Sequence, residues 1–183
     1  MEWTFSDSVR LSLLSFSEAS KACAALPGFS LFRRSLQPER IEYCRAELLP
    51  DCLVGSLAVP DKTHPLHLAF SLAFYLDRGQ LILAADEQTL PALQSLLFPE
   101  EPLDTSDVFH LFFSFLESLI QEDMLYLQNF EKRLATIEES LLDTLPKELQ
   151  RTLITIRREL LVFHAYYPVS YTHLRAHETS QDL

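Results

Sequence analysis

Apolar and polar positions alternate in two regimes along the chain, and the change between them falls near residue 104. Before it, apolar residues come in short runs broken by turn residues. Ser17 ahead of EASKACAAL offers an N-cap to a short Ala-rich helix that Pro27-Gly28 stops. RIEYCRAELL, with Ile41 and Tyr43 on one side, predicts a half-buried strand, and CLVGSLAV after Pro50-Asp51 predicts a second. In HLAFSLAFYLDRGQLILAAD two apolar runs flank Asp77-Arg78-Gly79-Gln80, a hairpin whose turn expects a positive φ at Gly79. EQTLPALQSLLF then reads as a helix closed by the loop from Pro99 to Pro102.

From Ser106 the period becomes helical. Asp104, Thr105, Ser106 and Asp107 supply caps and first-turn acids. Leu116, Ile120, Met124, Leu127, Phe130, Leu134, Ile137 and Leu141 follow at spacings of three and four, which predicts one long amphipathic helix. Asp143-Thr144-Leu145-Pro146 breaks it, with Pro146 suited to the first turn of a second helix whose stripe is Leu149, Leu153, Ile156, Leu160, Phe163 and Tyr167. So short a connection makes the two helices antiparallel. Leu142, Ile154 and Leu161 lie off both stripes, so a further contact surface is expected, from the N-terminal sheet or from another subunit. The fold class is α+β, α/β/α-like: a small mixed sheet covered by helices, then a long antiparallel helical hairpin. Its expected divisions are an α/β domain over 1–103, the hairpin over 104–167 and a tail over 168–183.

Charge narrows the partners. A formal charge of −11 and a pI near 4.9 oppose nucleic acid or anionic lipid as the main partner and favour cations. Gly28, Gly55 and Gly79 are too scattered to form a phosphate-cradling loop. Cys23, Cys44 and Cys52 lack zinc-knuckle or disulfide spacing, which suits a reduced, cytoplasmic chain, and no run reaches the roughly 20 apolar residues of a membrane span. Neither a G-x-S-x-G elbow nor a His-Glu-x-x-His motif occurs, and no nucleophile, base and orienter stand out, so no enzymatic activity is expected.

The helices carry mostly carboxylates. Glu122-Asp123 is the densest pair within a helix, and Asp123 falls beside the apolar stripe; hard dications favour such oxygens and keep several waters. Both residues are therefore candidate Mg²⁺ ligands, against the plainer role of a solvated helix face. His64 and His67 flank Pro65 in a loop and suit the surface; His110 and His164 suit packing or capping. His173 and His177, four apart, lack a third ligand.

FLESLIQEDMLYLQNFEKRLATIEESLL, a short break and LITIRRELLVFHAYY resemble, in that order, the helical part of the cytosolic domain of CorA-type magnesium transporters. GSLAVPDK and AFYLDRGQLIL resemble strands of the same family's α/β domain, so the likeness covers about residues 40 to 167. It implies a homopentameric divalent-cation transporter at the cytoplasmic face of the cell membrane. This chain would be its regulatory portion, with Mg²⁺ as both cargo and effector and no organic cofactor. Asp123 matches the acidic position of the family's first long helix, with Glu122 beside it. The Gly-Met-Asn motif and the two membrane helices that follow in the family are not in this sequence, so contact with the membrane is expected only through them. VSYTHLRAHET, residues 169–179, instead resembles a translated sequencing adapter, which makes 168–183 an expected non-native tail. The alternative is a stand-alone adaptor whose helical hairpin binds a partner protein.

Overall fold

A computed structural model describes residues 1–6, 9–98, 106–121, 123–143 and 148–180. Two strands, β1 (Glu2–Ser6) and β2 (Val9–Ser15), precede the first helix. The pattern had not announced them, although Val9, Leu11 and Leu13 alternate cleanly and are all buried. Then come α1 (Phe16–Ala22), α2 (Phe29–Ser35), a 3₁₀ turn (Pro38–Arg40), β3 (Arg45–Leu48), β4 (Leu53–Pro60), β5 (Leu68–Leu76), β6 (Gln80–Ala85) and α3 (Leu90–Leu97). The helices α4 (Val108–Ile120), α5 (Asp123–Asp143) and α6 (Leu149–Ser180) follow.

The six strands form one sheet in the order β1-β2-β6-β5-β4-β3, in which only the β2–β6 pair is parallel. Both faces are covered. On one, Leu11, Leu57, Leu72, Phe74, Leu81 and Leu83 meet α3, α4 and the Phe163 and Tyr166 side chains of α6. On the other, Val54, Ala58, Ala73, Tyr75 and Ile82 meet α1 and α2 through Phe16, Ala19 and Phe32. This double cover explains why β4 to β6 read as nearly continuous apolar runs. The result is the mixed α+β fold with an appended helical hairpin that the pattern predicts.

Local chemistry departs from expectation in several places. The cap of α1 is Ser15, two residues earlier than Ser17: its hydroxyl accepts from the Glu18 N–H at 3.2 Å while the Glu18 carboxylate accepts from the Ser15 N–H at 2.8 Å, a closed capping box. The predicted strand from Ile41 is shorter, because Pro38 opens a 3₁₀ turn and only Arg45–Leu48 joins the sheet. In the β5–β6 turn Gly79 does not take a positive φ; the Asp77 carboxylate accepts from the N–H groups of Gly79 at 2.8 Å and Gln80 at 3.0 Å and shapes the turn instead. Gly28, ahead of α2, is the glycine at φ +70° among the described residues.

The expected single long helix is two helices. Asp107 caps α4, accepting from the His110 N–H at 2.8 Å, and α4 ends at Ile120, before α5 starts at Asp123. The pairing seam of the hairpin keeps Phe130, Leu134, Ile137, Ile156 and Phe163 of the predicted stripes and departs from them at other positions. Asp123, Tyr126, Phe130, Leu134 and Ile137 of α5 turn inward, with Ile156, Glu159, Phe163 and Tyr166 of α6. Met124, Leu127, Leu153 and Leu160, which the stripe assigned to the seam, are 65, 40, 49 and 48 % exposed. Two acids hold seam positions that a stripe of leucines cannot reveal. The backbone of α6 also stays helical past Tyr167, through Pro168 to Ser180, where the pattern predicts an end.

Candidate functional site at the root of the hairpin

The loop after β4 begins with Asp61, whose carboxylate accepts from the Thr63 N–H at 2.7 Å, the Thr63 hydroxyl at 2.6 Å and the His64 N–H at 3.2 Å. These bonds pull the Asp61 carboxyl below its ordinary range, the Thr63 hydroxyl contributing most. They also fix the short loop that presents Lys62. Its ammonium donates to the Leu119 carbonyl of α4 at 3.0 Å and lies 2.9 Å from the Asp123 carboxylate at the start of α5. Asp123 is buried, its side chain 5 % exposed, and Lys62 is 23 % exposed. One cation thus satisfies an end carbonyl of one helix and an acid in the first turn of the next, a favourable place for each charge.

Further along the seam a second acid is treated alike. Glu159 is buried and takes a two-pronged bond from Arg133 at 2.9 and 3.3 Å, while the guanidinium also lies 5.6 Å above the Phe130 ring. That bond holds the Arg133 pKa above its ordinary value. The Tyr126 ring stacks on Phe163 at 4.3 Å. Burial, and then the Glu159 charge nearby, push the Tyr126 hydroxyl up. Its hydroxyl is buried with no hydrogen-bond partner among the described residues.

Of the two predicted metal ligands, Glu122 lies outside the described residues, and Asp123 is in the seam with Lys62 against it. Among the described residues no group of three or more His, Cys, Asp or Glu side chains is placed to hold a metal ion. His64 is exposed in its loop and His164 exposed on α6, while His110 sits over Asp107 with Nδ1 2.6 Å from the carboxylate. The side chains of His173 and His177 lie outside the description. Cys23, Cys44 and Cys52 are buried and free; burial pushes their thiols up, Cys44 to about 11, so they stay protonated and weakly nucleophilic at neutral pH. Sequence reasoning missed Lys62 and Glu159. Nothing in GSLAVPDK signals that Lys62 will meet Leu119, 57 positions away, or Asp123 beyond it, and nothing in the helix sequence singles Glu159 out from the other carboxylates.

Comparison with known proteins bears on the whole arrangement. No protein-family model matches the sequence, and no curated protein matches it. Solved structures do. The complete CorA magnesium transporter from Methanocaldococcus jannaschii superposes with a TM-score of 0.61 at 17 % identity, over 90 % of this chain and 54 % of that one. The soluble domain of the same CorA gives 0.54 at 20 % identity over 86 % and 64 %, and the full-length CmaX protein 0.61 at 17 % over 86 % and 50 %. The chain spans about half the length of the full-length structures it matches. It has the fold of a CorA-type N-terminal domain, the α/β/α sheet unit with its helical hairpin. Among the described residues no helix is long and apolar enough to cross a membrane.

Proposed function

We propose that this chain is the cytosolic regulatory domain of a CorA-like divalent-cation transporter, a domain that responds to intracellular Mg²⁺ and gates a pore formed elsewhere. The observation that supports this reading is the superposition on CorA over nine-tenths of the chain, with sheet and hairpin together. Its neighbours are transporter domains and not enzymes. The proposed assembly is a homopentamer at the cytoplasmic face of the membrane, with 1–103 and 104–167 as its sheet and hairpin units and 168–183 as a tail foreign to it. Acidic faces of adjacent subunits repel, and Mg²⁺ between them lowers that repulsion, so a fall in Mg²⁺ shifts the population toward the separated arrangement.

Within one subunit the metal role falls to Asp123 and Glu122. The place now held by the Lys62 ammonium is flanked by oxygen from Asp123 and Leu119, the hard ligands Mg²⁺ prefers. Asp123, with the Leu119 carbonyl beside it, would hold the ion in place of that ammonium. Thermal melting against Mg²⁺ tests this. At roughly 100 times the dissociation constant, a bound ion stabilises by about 2.7 kcal/mol, a rise of about 5–10 °C for a chain of this size. Asp123→Asn should abolish the rise and Lys62→Ala should move it to lower Mg²⁺. A melting point indifferent to Mg²⁺ in every variant sinks the proposal.

The exposed Met124, Leu125, Leu160 and Leu161 favour a second contact surface on the hairpin. That surface suits subunit assembly, and it equally suits the adaptor reading, in which the hairpin binds a different protein.

A further inference from the structure

Four of the chain's fifteen basic residues, Arg33, Arg34, Arg40 and Arg45, fall within thirteen positions, with Glu39 and Glu42 as the acids between them. In a chain of charge −11 that is a local reversal of sign. The fold concentrates it further. At the β3 edge of the sheet, on the face covered by α2, a cavity of about 460 Å³ is lined by Arg34, Arg40 and Arg45 together with Ser35, Ser56 and Glu47.

Each side chain arrives by a different route. The last turn of α2 carries Arg34 and Ser35, and the 3₁₀ turn carries Arg40. The β3–β4 register sets Arg45 opposite Ser56, so both occupy one face, and Glu47, two residues on, shares it. Arg45 forms an ion pair with Glu47. Arg34 and Arg40 are in no ion pair among the described residues. Ser56 is 6 % exposed, and its hydroxyl is in no hydrogen bond among the described residues. Guanidiniums without a counter-ion around one concavity are groups that gain free energy from a bound acceptor, and the Ser56 hydroxyl lies among them as a further donor.

We propose that this cavity binds a phosphate monoester. Among the side chains lining the cavity, three guanidiniums stand against one carboxylate, an excess of two positive charges that a phosphate monoester dianion neutralises; Glu39 and Glu42 line the neighbouring cavity instead. Guanidinium forks match phosphate oxygens two at a time, and a dianion between them removes the repulsion among the arginines. Leu31, Ile41 and the half-exposed Tyr43 ring form the rest of the wall and provide apolar and stacking contact for the ester's organic part. The negative charge of the whole chain disfavours an anionic bilayer and leaves a free small molecule as the ligand. This site stands apart from the Mg²⁺ reading and does not depend on it.

Isothermal titration calorimetry on the full chain in metal-free, low-salt buffer tests the site, with inorganic phosphate and phenyl phosphate as probes. Saturable binding of both is expected, with phenyl phosphate the tighter. Arg34→Gln and Arg40→Gln should each weaken it about tenfold or more, and Arg40→Lys by less. These side chains are exposed, so far-UV circular dichroism and the melting point should stay unchanged. Absence of saturable binding, or equal affinity in the wild type and the double Gln variant, overturns the proposal. A parallel arm uses vesicles containing phosphatidic acid. Co-sedimentation that requires Arg34 and Arg40, with no response to the free phosphates, assigns the chemistry to a lipid headgroup and overturns the small-molecule site.

Discussion

Gly55 shows how little room the sheet leaves at a single position. It lies on β4 between the Arg45 carbonyl of β3 and the buried Phe74 ring of β5; a Cβ there would overlap that carbonyl and come within 2.6 Å of the ring. Backbone cannot step aside cheaply, so Gly55→Ala is expected to cost about 2–4 kcal/mol and to lower the melting point by about 10 °C. Scanning calorimetry reads this directly, and an unchanged melting point would mean the strands separate more easily than their packing implies. From sequence, Gly55 was one of three scattered glycines, informative only for the phosphate loop it did not make. Its steric role needs the neighbouring strands in place. Asp123 differs in that its position beside an apolar stripe was legible, while its counter-ion was not.

The break between α4 and α5 belongs to the scale of elements. FLESLIQEDMLYLQ holds no proline or glycine, and its local preferences favour a continuous helix. The Lys62 contact is tertiary: it bonds Leu119 near the end of α4 and Asp123 at the start of α5. Lys62→Met leaves a buried carboxylate without its cation, at an expected cost of about 3 kcal/mol in urea unfolding. Because the penalty arises from the orphaned charge, Lys62→Met combined with Asp123→Leu should recover most of it. A double variant as unstable as the single would show that the ammonium matters through Leu119 alone. The same logic explains where the seam departs from the predicted stripes. Periodicity located the helical stretches of the hairpin, whose predicted turn at 144–146 lies outside the described residues, but it counts leucines, and the seam admits Asp123 and Glu159 because Lys62 and Arg133 neutralise them there.

Across the whole molecule, acid stability draws on carboxylates in three separate places. The Ser15 N–H and then its hydroxyl hold Glu18 below its ordinary 4.5, and the Thr63 hydroxyl and N–H hold Asp61 below 3.8. Partial burial pushes Asp107 up, but the N–H and ring of His110 outweigh it and leave Asp107 below 3.8 as well. A folded pKa below the unfolded one contributes stability that is present above the unfolded value and is lost as pH falls through the folded value. Unfolding free energy should therefore decline below pH 4.5 for Glu18 and below 3.8 for the two aspartates. Urea titrations over this range, repeated with Glu18→Gln and Asp61→Asn, should show a shallower decline in each variant; an identical slope would remove these groups from the account.

The sequence by itself determined the fold class, the β4 to β6 core strands, the helical hairpin and the likeness to CorA-type domains. The first three rest on periodicity and local order, which act within a few residues of one another; the likeness is a resemblance carried by FLESLIQEDMLYLQNFEKRLATIEESLL and LITIRRELLVFHAYY in that order. Tertiary structure decided which charges meet. It set Lys62 against Asp123 and Arg133 against Glu159, and it collected Arg34, Arg40 and Arg45 from a helix, a turn and a strand around one cavity. Net charge, a sum over the chain, argued against nucleic acid and anionic lipid as the main partner; the field at a site depends on the few charges within several ångströms, and only the folded chain brings those together.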